Sequence, residues 1–253
     1  MKARILLTTL ALACCGTARA DDWTWFVTPY VWATDVGLDL SLHDRSLVDA
    51  TIPFDDLVED LESAVLIRAS AMHGAHGLAV DVFDVVTADD SGTIAVPGHP
   101  DTTAALNAKV GLTLVDLTGV YDPAGDGTGL AFVYGTRVIN QRANLHASVA
   151  VGSTPGPSVQ HDDSDTFIDA LIGVRYEHRF GDRWSCGLAA DVSTGGTDLT
   201  WSVGPTVGYR FGARHQYRLD AGYRRMVIEF DTRPGIDSSM TLSGALVGLR
   251  FEF

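Results

Sequence analysis

The sequence predicts an all-β fold, an antiparallel transmembrane up-and-down β-barrel of ten strands, with eight as the alternative count. Three observations predict it. Apolar and polar residues alternate with period two through most of the chain, aromatic residues gather at the ends of the apolar faces, and tight connections alternate with long acidic ones.

The first element lies outside that barrel. Lys2 and Arg4 precede an apolar run from Ile5 to Cys15, and Ala18-Arg19-Ala20 fits a small-x-small cleavage site. Residues 1–20 are therefore expected to be a secretory signal peptide, because the run is too short for a membrane-spanning helix. Residues 21–253 are expected to be one barrel domain. Cys14 and Cys15 fall inside the signal, so Cys186 alone remains and no internal disulfide is expected. Cleavage also removes three basic residues, leaving 15 against 32 acidic ones, a net charge of −17. Such acidity disfavours nucleic acid as a partner.

Strands are expected at 22–33, 64–74, 77–88, 106–121, 128–139, 167–180, 183–193, 198–211, 214–229 and 240–253. The last shows the pattern best: Val247, Leu249, Phe251 and Phe253 share one face, with Gly248, Arg250 and Glu252 on the other. Residues 199–211 place Trp201, Val203, Val207, Tyr209 and Phe211 opposite Thr200, Ser202, Thr206 and Arg210. Residues 168–180 place Ile168, Ile172, Val174, Tyr176 and Phe180 opposite Asp169, Arg175, Glu177 and Arg179.

The links after the second, sixth and eighth strands are tight (Ala75-His76, Gly181-Asp182, Gly212-Ala213), and Asp122 to Gly127 has turn chemistry throughout. Those after the first, third, fifth and ninth are long and rich in Asp, Gly, Ser and Pro, with Thr194 to Thr197 a short exception. Within the first long link, Val36–Leu42 and Val48–Phe54 are expected to pair as an external hairpin, and Ile52–Leu61 to form a short helix. Short turns on one side and long loops on the other are the membrane-barrel pattern, so the tight turns and both termini are expected on the periplasmic side and the long loops outside.

Alternation alone does not say which face meets lipid. Polar faces that interleave charges of both signs with glycine suit a narrow lumen, and apolar faces ending in Trp184, Trp201, Tyr209, Phe211, Tyr176, Phe180, Phe251 and Phe253 suit lipid interfaces. Asp116 falls on the same parity as Val110, Leu112 and Leu114, and Asp84 on that of Leu78, Val80 and Val82, so a bulge is expected to move each carboxylate off the lipid face. Pro205 removes a ladder donor in mid-strand.

Several segments are similar to the small outer-membrane β-barrel proteins of Gram-negative bacteria. Trp23 to Ala33, with Pro29-Tyr30-Val31-Trp32-Ala33, resembles their aromatic opening strand. Gly173-Val174-Arg175-Tyr176, Asp182-Arg183-Trp184-Ser185, Gly208-Tyr209-Arg210-Phe211 and Gly222-Tyr223-Arg224 resemble their repeated hairpins, and Val247, Leu249, Phe251 and Phe253 resemble the signal read by the barrel-assembly machinery. The resemblance implies an outer-membrane location with lipid and that machinery as partners, and it names no substrate.

By parity the lumen would hold Arg68, Lys109, Arg137, Arg175, Arg179, Arg210, Arg218, Arg224 and Arg250, facing Asp81, Asp169, Glu177, Asp191, Asp220 and Glu252. Paired charges would fill a small barrel, whereas an open lumen would make a narrow, porin-like channel. The acidic first loop (Asp35, Asp39, Asp44, Asp49, Asp55, Asp56, Glu59, Asp60, Glu62) reads as a solvated surface. His161-Asp162-Asp163-Ser164-Asp165 matches no ordered coordination pattern, so no metal or cofactor is expected. Ser41, His43, Asp44, His161 and Asp163 are available near the external rim for a lipid- or peptide-cleaving enzyme, yet no spacing singles out a triad and catalysis is not expected. Cys186, between Trp184 and Leu188 on the apolar parity, is read as an inert lipid-facing residue. The leading expectation is a structural or surface-interaction barrel with a filled lumen, ahead of a channel and an enzyme.

Overall fold

The computed structural model describes residues 23–42, 45–87, 90–95, 102–151, 154–233 and 236–253, and the expected signal peptide lies outside them. In chain order the elements are β1 (Thr24–Leu42), β2 (Arg45–Ile52), α1 (Phe54–Glu59), β3 (Leu61–His73), β4 (His76–Thr87), β5 (Asp90–Ala95) and β6 (Thr102–Tyr121). β7 (Gly129–Val151), β8 (Thr154–Phe180), β9 (Trp184–Gly195), β10 (Leu199–Phe211), β11 (Tyr217–Arg233) and β12 (Ile236–Glu252) follow.

Every pairing is antiparallel and β12 closes on β1, so the wall is a ten-stranded up-and-down barrel of β1, β3, β4 and β6 to β12. β2 and β5 are additions: β2 pairs with β1 above the point where β3 leaves it, and β5 pairs with β6 beyond the end of β4. Stepping through paired residues from Glu252 to Phe26, Ser70, Ala79, Thr118, Gly135, Leu171, Ser193, Thr200 and Ile228 returns to β12 at Met240, a stagger of 12 residues. With ten strands that stagger sets a tilt of about 40° and a backbone radius of roughly 10 Å, narrow enough for side chains to fill.

The turns that follow β3, β8 and β10 are tight, with Gly74, Gly181 and Gly212 at φ of 56°, 65° and 89°, where a β-carbon would be strained. Asp122 organises the turn before β7, its carboxylate accepting from Ala124 N at 3.1 Å and Gly127 N at 2.7 Å. In the same turn, hydrogen bonds from Thr128 hold the Asp126 carboxyl below its ordinary range.

The opposite end departs from expectation. The long links are largely strand: β7 and β8 remain paired up to Val151↔Thr154, far beyond the expected ends at 139 and 167, and β11 and β12 up to Arg233↔Ile236. Above the bilayer neither face of a ribbon meets lipid, so pairing persists where hydrophobic alternation has stopped. The expected hairpin is present as the upper part of β1 on β2, from Val36↔Ile52 to Leu42↔Arg45, and the expected helix shortens to α1.

Pro205 interrupts the ladder rather than shifting it. β10 pairs with β11 on both sides of the proline, at Val203↔Arg225 and Thr206↔Gly222, in one unbroken register.

Candidate functional site: the barrel interior

Outside, the wall is apolar. Leu78, Ile168, Ile172, Leu188, Leu219 and Val247 are exposed on it, and Cys186 shares the outward face of Trp184 and Leu188. An aromatic girdle rings the end with the tight turns: Trp184 lies 4.8 Å from Tyr209, Phe211 5.6 Å from Tyr217 and Tyr217 5.8 Å from Phe251. Toward the other end the outer face turns polar along one row. Thr113 Oγ1 donates to Asp84 at 2.5 Å, Arg142 to Thr113 at 3.0 Å and to Asn140 at 2.7 Å, and Asn140 to Thr166 at 2.8 Å. Asp84 therefore stays on the outward face without a bulge, at the rim where lipid gives way to water.

The interior is layered. At its middle Arg68, Asp81, Asp116, Arg137 and Asp169 stand opposite one another in turn on β3, β4, β6, β7 and β8. Arg68 pairs with Asp81, which also accepts from Tyr30 Oη at 2.9 Å. Arg137, fully buried, holds Asp116 through two bonds of 2.8 Å and lies 2.9 Å from Asp191, and Asp191 accepts from Ser202 at 2.6 Å.

Toward the aromatic girdle lies a second group. Arg218 donates to Glu177 and to Asp220, each at 2.6 Å, with Arg179 3.7 Å and Arg210 4.0 Å from Glu177 and Arg250 3.7 Å from Asp220. Arg210, Arg218 and Arg250 are directly opposite one another on β10, β11 and β12, so this layer carries more arginines than carboxylates. Gly208 is the residue over which the Arg218 guanidinium lies, and a β-carbon there would collide with it.

Above the middle layer the lumen is largely apolar. Tyr30, Trp32, Phe83, Leu114, Ile139, Met226, Ile228 and Leu242 form one buried cluster, with Leu66, Leu112, Phe167 and Phe230 packed against it. Trp32 meets Phe83 edge-on at 5.5 Å, and Phe167 reaches Phe230 at 5.2 Å above the short β9–β10 turn. The layers follow strand by strand. One inward position above Arg68, Asp81, Asp116, Arg137 and Arg224 stand Leu66, Phe83, Leu114, Ile139 and Met226. We describe this cluster as an apolar septum.

The septum corrects two expectations. Leu112 and Leu114 face inward, so Asp116, on their parity, reaches Arg137 with no bulge: the register of β6 with both neighbours is continuous. By the same parity Lys109 faces outward, and it pairs with Glu62 at the external end of β3 instead of joining a lumen network. Asp169 is a third correction. It is inward and buried, but among the described residues its partners are Ser193 Oγ at 3.1 Å, Thr197 N at 2.9 Å and Thr197 Oγ1 at 2.6 Å. It ties the β9–β10 turn to β8, and Ser193, Thr197 and Thr200 are the buried hydroxyls that accompany it.

Three more of the lumen residues have no carboxylate or base within ion-pair distance among the described residues. Arg175 lines a central cavity, Arg224 lies 5.1 Å over the Trp32 ring, and Glu252 is exposed at the girdle end. Of the rim residues, His43 and Asp44 are outside the described residues, while Ser41 in β1 and Asp163 in β8 lie on strands that are not neighbours. His161 lies within β8, but its side chain and that of Asp162 are outside the described residues, and no cluster of three metal-ligating side chains occurs among the described ones.

No family model matches the chain, and no curated protein matches it in sequence. Among solved structures it is similar to the outer-membrane protease OmpT of Escherichia coli, at 9% identity over 92% of this chain and 98% of that one with a TM-score of 0.49. It is also similar to the translocator domain of the autotransporter NalP of Neisseria meningitidis, at 10% identity over 90% and 88% with a TM-score of 0.41. A third similarity is to Ail, the attachment invasion locus protein of Yersinia pestis, at 7% identity over 91% and 98% with a TM-score of 0.31. The assignment to the outer-membrane barrel architecture rests on the closed sheet, its apolar exterior and its charged interior.

Proposed function

We propose that this chain is a non-conducting outer-membrane barrel, exported by residues 1–20 and inserted by the barrel-assembly machinery, that holds extended β-ribbons above the membrane for interaction at the cell surface. The observation that carries the reading is the septum. A ring of apolar side chains such as Ile139 and Ile228, both fully buried, crosses a lumen of roughly 10 Å backbone radius in the outer half of the wall. The second support is the length of the ribbons. β7 and β8 have 23 and 27 residues, where about 9–11 tilted residues span a bilayer. Stiff paired strands of that length serve presentation. A catalytic role is not part of the reading, because Ser41 and Asp163 stand on separate ribbons.

Two measurements test it. Purified protein in planar bilayers should give no steady conductance, and a sizeable steady conductance would promote the channel reading. Cells displaying a variant that lacks residues 143–163, the outer part of the β7–β8 ribbon, should keep the folded, heat-modifiable barrel and lose adhesion to surfaces and to one another. Unchanged adhesion sinks the surface role.

A further inference from the structure

We infer that the cavity at the middle of the lumen is a binding site for a small oxyanion of the phosphate or sulfate type, entered from the periplasmic side. The cavity has a volume of about 100 Å³, and its charged lining is Arg68, Asp81, Asp116, Arg175, Asp191 and Arg224. That space holds several waters or one tetrahedral anion.

The three carboxylates are already engaged. Asp81 is held by Arg68 and Tyr30, while Asp116 and Asp191 share Arg137. Four guanidinium groups thus meet three carboxylates, and the two left over are Arg175 and Arg224. Neither has an ion-pair or side-chain hydrogen-bond partner among the described residues, and both border the cavity. The Arg224 guanidinium lies over the Trp32 ring at 5.1 Å from its centroid, a contact that helps hold the group without neutralising its charge. Guanidinium forks match oxyanions in shape as well as in charge, and a site screened from bulk water strengthens the attraction.

The surroundings give the site one entrance. On the external side the next inward residues are Leu66, Phe83, Leu114 and Met226 of the septum, an apolar lining that disfavours a hydrated anion. On the periplasmic side the neighbouring inward charges are Glu177, Asp220 and the row Arg210, Arg218 and Arg250, where positive charge is in excess. An excess of positive charge on one side of a site draws anions toward it. Gly173, Ala189, Ala190 and Gly204 keep the cavity wall free of bulk.

The test is a calorimetric titration of the refolded full chain, in octyl glucoside, with sodium sulfate at an ionic strength held constant with sodium fluoride. One saturable site is expected. Arg175→Met and Arg224→Met should each weaken it at least tenfold, and Arg183→Gln, in the exposed periplasmic turn, should leave it unchanged. Arg175→Met should also raise the unfolding midpoint in the absence of sulfate, since it removes an unpaired cation from the lumen, and should abolish the further rise that sulfate produces in the natural sequence. A titration without saturation, or an affinity for sulfate that survives Arg175→Met in a folded, heat-modifiable protein, overturns the proposal. Neither result depends on conductance or adhesion, so it stands or falls apart from the surface role.

Discussion

Arg137 shows how one side chain organises the middle of the barrel. Fully buried, it answers two carboxylates from two different strands, Asp116 on β6 and Asp191 on β9, so its loss would strand two negative charges in a narrow lumen. Arg137→Met should destabilise the barrel by about 3–5 kcal/mol, less where lumen water screens the acids, and the double variant Arg137→Met/Asp116→Leu should recover part of that. Urea unfolding of protein refolded into lipid vesicles checks both values, and a double variant no better than the single one would show that Asp116 is not the residue Arg137 serves. On the outer wall the decisive quantity is depth. Ile172, 64% exposed, lies midway along β8 between Phe180 in the girdle and Thr166 in the polar row. Ile172→Arg should cost about 2–4 kcal/mol and Phe180→Arg about 1 kcal/mol or less, because an arginine near an interface reaches water. Equal costs in the same vesicles would move the membrane away from this belt.

At the scale of elements, the seam between β1 and β12 closes the barrel. Its last bonds run between Trp25 and Phe253, with Phe253 N donating to Trp25 O at 2.9 Å and Trp25 N to Phe253 O at 3.3 Å. The Phe253 side chain makes no such bond and faces outward, 63% exposed. Phe253→Ala therefore leaves the seam intact while removing the aromatic group that resembles the assembly signal. It should lower the amount of folded protein in outer-membrane fractions several-fold while leaving unfolding in vesicles little changed. Normal membrane levels would show that the aromatic ring is not read during insertion. The β9–β10 turn carries a different lesson. It is the short external connection because Asp169, Ser193, Thr197 and Thr200 satisfy one another beneath it, and no pattern of hydrophobicity announces such a cluster.

Across the whole molecule the two interior layers make different predictions about leakage. If the septum is the seal, replacing two of its aromatic residues, Trp32→Ser with Phe83→Ser, should open a measurable conductance in planar bilayers, and Arg137→Met should not. The charged layers contain water-accessible polar groups and a cavity of about 100 Å³, so their loss alone adds no continuous path. Conductance in the arginine variant, with none in the aromatic one, would transfer the seal to the ion pairs. An opened barrel should favour anions, given the row Arg210, Arg218 and Arg250 on the periplasmic side.

Much of this was legible in the residues themselves. Period-two alternation with aromatic ends, as in 199–211 and 245–253, together with tight turns on one side only, determined the antiparallel barrel, because a strand that faces lipid must keep one side apolar and pair every backbone group. It also placed the expected strands close to the observed ones at their periplasmic ends. Two things were decided only by the closed sheet. Above the bilayer no lipid enforces alternation, so the continuation of β7 and β8 into long ribbons is visible in backbone pairing and not in side-chain pattern. Inside, an apolar residue reads the same whether it meets lipid or other apolar residues across the lumen. The phase of β6, which turns Leu112, Leu114 and Asp116 inward and Lys109 outward, is fixed by what stands opposite once the strands have curved into a ring: Trp32, Phe83 and Ile139 for the leucines, and Arg137 for the aspartate.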